Sequence, residues 1–256
     1  MQLQPKPHTN GTALILSPGA SLNHLNPYIL AEAYDCVVGM NYMMFNQAFM
    51  DLPNSVVACH HTAKGMPTHL IQQAIEDHPY RVHLSEWDCF DPAQPTPEYY
   101  GRYYTYRTFG TVLVDTMNYV WPILNPHEGI TFAGGSGALT AIGLAIALGY
   151  KNIHCAGIDG GMIDGHTYWH EYERLISDID GTQFNEAYTD PRAVGTYNEV
   201  QAGHSMRTYK SVQALKAWLR ANTTIRLATI TKPADTAGQT NQHTDRCVFG
   251  NNPLPQ

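Results

Sequence analysis

Residues 134–159, GGSGALTAIGLAIALGYKNIHCAGID, constrain this chain more than any other segment. A glycine-rich turn opens an apolar helix, and an apolar strand-like run follows it almost at once. The apolar stretch around residues 138–148 is about half the roughly 20 residues that a membrane span needs. A helix that is apolar all round must then be buried in a globular core. Helix running into buried strand is half of a β-α-β unit. Free N–H groups at such a helix start, backed by the helix dipole and approached closely past glycine, make a phosphate site.

The remainder repeats the alternation. Residues 12–16 (TALIL), 36–40 (CVVGM), 55–59 (SVVAC) and 81–84 read as strands. Helical spacing runs from 22 to about 33 and over 66–77. Residues 111–114 and 225–230 read as further strands, and 205–222 as an amphipathic helix with Val212, Leu215 and Leu219 on one face. The Pro- and Tyr-rich stretch DPAQPTPEYYGRYYTYR reads as an ordered surface loop, with Arg102 and Arg107 among its tyrosines. The expectation is a Rossmann-like α/β fold, a mostly parallel sheet with helices on both faces. Residues 1–159 and 204–231 form its core. Residues 160–203, polar and too long for a bare connection, form a lid, and 232–256 form a polar tail.

In such a sheet ligands bind beyond the carboxyl ends of the strands. The donor-site candidates are therefore Ser17, Gly19 and Ser21 after the first strand, Asn41 after the second, and Gly157, Ile158 and Asp159 after the strand that follows the apolar helix. Gly135, Ser136 and Gly137 join them from the helix start. His204 precedes Ser205, which reads as a helix N-cap. A helix dipole there favours neutral imidazole, as a general base requires.

Other chemistries fit less well. A net charge of −7 argues against a broad nucleic-acid surface. Five scattered cysteines without a CxxC pair read as small buried hydrophobes. In GSGALT, Thr140 stands where a dinucleotide fingerprint has a small residue, although Asp159 could hold a ribose. There is no GxxxxGK[ST] loop, and neither GGSGA nor GHSMR meets G-x-S-x-G. His166 and His170 would share a helix face near Glu171 and Glu173, and His60 and His61 are another pair. Asp178 and Asp180 imitate a metal-binding DxD but lack the apolar strand before it. No metal is assigned. The N-terminus lacks a signal-peptide plan, so a cytoplasmic location without a membrane span is expected.

The block GSGALTAIGLAIALGYKNIHCAGID, read with SPGASL and AGHSMRTYKSVQALKAWL, resembles the bacterial lipooligosaccharide sialyltransferases. The shared order covers Gly19 to Leu22, Met40 and Asn41, Ser136 to Asp159, and Gly203 to Ser205. Motility-associated glycosyltransferases and archaeal-type pterin diphosphokinases are similar to it more distantly. The resemblance implies an inverting, metal-independent glycosyltransferase that needs no cofactor, its co-substrate being a nucleotide-linked sugar, CMP-linked in that family. It further implies that His204 is the base, that Ser136 contacts the donor phosphate, that Asn41 lies at the donor site and that Tyr168 stabilises the leaving phosphate. Ser17, Gly161 and Ala133 stand where the family has asparagine, tyrosine and arginine. Donor sugar and base therefore stay open, as does the acceptor, a glycan or a hydroxymethylated nucleobase. A homo-oligomer is compatible with it. The alternatives are a pterin-type diphosphokinase using ATP and magnesium, and a non-catalytic nucleotide-binding module.

Overall fold

The structure is a computed structural model that describes residues 9–59, 66–85, 104–110, 113–114, 118–119, 130–133, 136–189 and 194–231. Gly135, the His60 and His61 pair, Arg102 and the expected tail at 232–256 lie outside the described residues.

Ten strands are described. They are β1 (Thr9–Leu16), β2 (Cys36–Met40), β3 (Ser55–Cys59), β4 (Val82–Ser85), β5 (Tyr104–Gly110), β6 (Leu113–Val114), β7 (Asn118–Tyr119), β8 (Ile130–Ala133), β9 (Tyr150–Ala156) and β10 (Arg226–Thr229). Eight build one sheet in the order β10-β9-β1-β2-β3-β4-β5-β8, every neighbouring pair parallel. β6 and β7 form a separate antiparallel pair. The Rossmann-like α/β expectation holds. The stretch from Tyr104, expected as surface loop, is instead a sheet strand. Its sequence YTYRTFG is rich in the aromatic and β-branched residues that suit a pleated surface.

Strand alternation decides which helix covers which face. On β1, Leu14 and Leu16 point to one side and Ala13 and Ile15 to the other, all fully or almost fully buried. The Leu14 side packs on two 3₁₀ turns, Ala20–His24 and Asn41–Phe45, and on α1 (Pro27–Ala31), α2 (Gln47–Met50) and α3 (Thr68–Asp77). The Ile15 side packs on α4 (Gly137–Ala147). Burying one such side chain stabilises the fold by about 1.5–3 kcal/mol. Helix α4 carries the chain from the far edge strand β8 back to β9, touching β5, β3, β2 and β1 on the way. Ten consecutive residues of it, Ala138 to Ala147, are buried.

Two later helices differ from expectation. α5 (His170–Asp180) lies inside the stretch expected as a lid, yet Trp169, Tyr172, Leu175 and Ile176 belong to the same buried cluster as Leu14 and Val37. The α5 segment of that stretch packs into the core, pinned by the Trp169 N–H donating to Pro18 O at 2.7 Å. α6 runs from Tyr197 to Asn222, 26 residues, and not from Ser205. Its N-cap is Thr196, in a capping box with Glu199, whose Oε2 accepts from the Thr196 N–H at 2.6 Å. Val212, Leu215 and Leu219 are buried as expected. Among the described residues no helix is long and apolar enough to cross a membrane.

Candidate functional site

The chain steps outward from β1 through β2, β3, β4, β5 and β8, then returns along α4 to place β9 on the other side of β1. The reversal makes a crevice beyond the carboxyl ends of β1 and β9, the usual ligand position in this sheet type. The two loops are stitched together there. Ser17 N–H donates to Ala156 O at 2.9 Å, and Gly19 N–H to Gly157 O at 3.0 Å. Both glycines are required. A Cβ on Gly157, which sits at φ +73°, would run into Ser17 O, and one on Gly19 would run into Gly157 O.

A cavity of ≈ 100 Å³ opens at this point. Ser17, Gly19, Gly157 and Ile158 line it together with Asn41, Ser136, Gly137, Tyr168 and His204. The structure thus brings together residues from β1, β2, α4, β9, the stretch before α5, and α6. Asn41 follows β2 at φ +49°, a left-handed conformation that asparagine tolerates. A Cβ on Gly137 would come within 3.3 Å of the Asn41 side-chain nitrogen, so α4 starts close against that loop. Ser136 is the N-cap of α4, its Oγ accepting weakly from Leu139 N–H at 3.4 Å, and its hydroxyl proton can still donate. Tyr168 donates from its hydroxyl to Gln201 Oε1 at 2.9 Å, and burial raises its phenol well above the ordinary tyrosine value.

His204 reaches the cavity from inside α6. It is two turns beyond Thr196, and dipole effects fade within the first turn. The expected reason for a neutral imidazole, a position just before the helix, is therefore corrected. What places His204 is the helix face it shares with Thr208, one turn on, which also lines the cavity.

Ser21 and Asp159, expected as donor ligands, are bonded to each other and are not cavity walls. Asp159 accepts from Ser21 N–H at 2.7 Å and from Ser21 Oγ–H at 2.5 Å, and is 1% exposed. The pair holds the 3₁₀ turn after β1 against the loop after β9. Burial raises the Asp159 carboxyl above its ordinary value, opposed by the Ser21 hydrogen bonds and by His24. Between the ordinary and the raised value, the native state holds a proton that the unfolded chain has released. Stability falls as pH climbs from the ordinary aspartate range through the raised folded value. Asp159→Asn removes that slope, and Asp159→Ala lowers unfolding free energy by about 2–3 kcal/mol, both read by urea denaturation across pH. Lost ligand binding at wild-type stability in Asp159→Ala would return the residue to the donor site.

Pro18, Met40, Ala138, Thr167, Tyr172, Ser205 and Thr208 also line the cavity, and sequence reasoning missed them as site residues. Thr208 was findable at i+4 from His204. Thr167 had no local signal, because its position is set by Asn198, which accepts from Thr167 N–H at 3.1 Å and from its hydroxyl at 2.7 Å. No carboxylate, lysine or arginine is among the described cavity walls. Asp180 is elsewhere, accepting from the Tyr42 hydroxyl at 2.7 Å and from Thr182 N–H at 2.9 Å.

No family model, no curated protein and no solved structure matches the chain.

Proposed function

We propose that this crevice binds the phosphate and reacting carbon of a nucleotide-linked sugar, and that the chain transfers the sugar to an acceptor hydroxyl with inversion. The observation that carries the reading is the wall chemistry. A cavity at the strand reversal, without carboxylate, lysine or arginine among its described walls, combines the start of α4, the hydroxyls of Ser17, Ser136, Tyr168 and Thr208, and the His204 imidazole. Preorganised donors of this kind stabilise a phosphate as it gains charge.

In the displacement, the acceptor oxygen attacks the anomeric carbon while the bond from that carbon to the phosphate oxygen breaks. His204 accepts the acceptor's proton. Ser136, Tyr168 and the α4 start receive the departing phosphate, Tyr168 turning its hydroxyl from Gln201. At ≈ 100 Å³ the cavity suits a phosphate and the reacting carbon, whereas whole-ligand pockets run to about 300–1,000 Å³. Base and sugar extend past its mouth. A diphosphokinase needs acidic ligands for magnesium, and the described walls offer none.

Thermal shift with CMP, UDP and ATP, with and without EDTA, tests this. A free nucleotide at 100 times its Kd stabilises by about 2.7 kcal/mol, a rise in Tm on the order of 5–10 °C for a chain of this size. CMP or UDP is expected to give that rise with EDTA present, with mass spectrometry detecting slow hydrolysis of the matching sugar donor. A response to ATP alone, dependent on magnesium, would favour the kinase. Nucleotide binding with no turnover of any sugar donor would leave a binding module.

A further inference from the structure

A second constellation lies beside the crevice. Ile163 to His166 form a tight hairpin turn, with Ile163 N–H donating to His166 O at 2.9 Å and His166 N–H to Ile163 O at 3.0 Å. Asp164 and Gly165 occupy its centre at φ +52° and +80°, the doubly left-handed turn that Asp-Gly favours. It sets His166 against the first turn of α5. That turn begins with His170, whose N–H donates to Asn23 Oδ1 at 3.0 Å, and Glu173 follows on the same face.

The three side chains converge. His166 Nδ1 is 2.9 Å from Glu173 Oε2, and His170 Nδ1 is 3.9 Å from the same oxygen. The two imidazole centroids are 4.3 Å apart with planes at 88°. One nitrogen of each histidine and one Glu173 oxygen all lie within 4.8 Å of one another. Glu173 is only 9% exposed, and its other oxygen, Oε1, has no hydrogen-bond partner among the described residues. A buried carboxylate oxygen left unpaired is costly. An ion pair between His166 and Glu173 uses Oε2 and leaves Oε1 unexplained.

We propose that His166, His170 and Glu173 bind a divalent transition ion, zinc above all. Two imidazoles and a carboxylate are a zinc donor set, whereas calcium and magnesium take oxygen ligands. In a tetrahedral site with bonds of about 2.0–2.2 Å the donor atoms sit about 3.3–3.6 Å apart, between the two contacts present. Glu173 ligating through Oε2, with Oε1 as a second and longer bond, gives the unpaired oxygen a partner as well. His170 is 60% exposed, so solvent supplies the fourth ligand. None of the three residues lines the crevice, but Thr167 and Tyr168 lie between two of them in the chain and do. The ion clamps the hairpin turn to α5 and thereby fixes that wall. This assignment does not depend on what the crevice binds.

The test is metal binding by the full chain, stripped with EDTA and desalted. Calorimetric titration with zinc is expected to show one equivalent at micromolar Kd or tighter. Zinc at 100 times Kd raises Tm by about 5–10 °C. His170→Ala, on an exposed side chain, and Glu173→Gln each weaken binding by at least about 100-fold, while His69→Ala on α3 leaves it intact. Cobalt(II) absorption bands of the unmodified protein report low-coordinate ligation without any variant having to fold. Absence of stoichiometric zinc binding, or binding that survives His170→Ala and Glu173→Gln, overturns the assignment. Transfer activity plays no part in the readout, so failure here and failure of the transferase reading are separate results.

Discussion

Replacing His204 with alanine is expected to cut turnover by roughly 10²–10⁴-fold, the range for a positioned acid–base group, while nucleotide binds nearly as well as before. The cavity wall has three titratable side chains among the described residues, His204, Tyr168 and Tyr172. Phenols ordinarily titrate near pH 10, and burial raises both of these further. They keep their protons and can only donate. Imidazole is the one wall group able to take a proton near neutrality. In the proposed function the donor phosphate sits at Ser136 and the α4 start, neither of which needs His204. Single-turnover rates and nucleotide calorimetry on His204→Ala and His204→Gln separate the two properties. A folded His204→Ala protein with near-normal turnover would remove this residue from the mechanism.

Gly157→Ala is the largest expected effect on the fold. The residue sits at φ +73°, where an L side chain costs about 1–2 kcal/mol. Its Cβ would meet the Ser17 carbonyl, a backbone atom that cannot swing aside, and overpacking of this kind costs a further 1–3 kcal/mol or so. The expected loss is about 2–5 kcal/mol, a Tm drop on the order of 10 °C, with the crevice forced apart and nucleotide affinity lost too. Two other glycines calibrate it. Gly181 has φ +75° but open space around it, so Gly181→Ala carries only the conformational cost. Gly203 is inside α6 with nothing within 4 Å of a new Cβ, and Gly203→Ala should stabilise by about 0.5–1 kcal/mol. A Gly157→Ala protein as stable as the parent would mean that the two loops can separate freely.

The parts of the fold that were legible in the sequence are those whose cause is local. β2 and β3 have the expected bounds because each is a short apolar run closed by turn residues. The glycine-rich start of the apolar helix is written in four consecutive residues, Gly134 to Gly137. The errors have equally physical causes. Gly203, His204 and Ser205 look like a helix start, whereas the true start was announced by Thr196 and Glu199 at capping-box spacing. In α5, Tyr172, Leu175, Ile176 and Ile179 have helical spacing, but acidic and polar neighbours hid it. The Ser21–Asp159 bond joins residues 138 apart, and no local pattern distinguishes a carboxylate that holds a turn from one that holds a ribose.

The return of α4 across the sheet also sets a timetable. β1 pairs with β2 almost immediately, but its other neighbour, β9, lies about 140 residues further along. At synthesis rates of about 5–20 residues per second, that edge of β1 stays unpaired on the ribosome for on the order of 10 s. An apolar strand edge left open is a template for another chain. Damage where the loops after β1 and β9 are stitched together therefore surfaces first as aggregation in the making of the protein, before any loss of melting temperature in the molecules that survive.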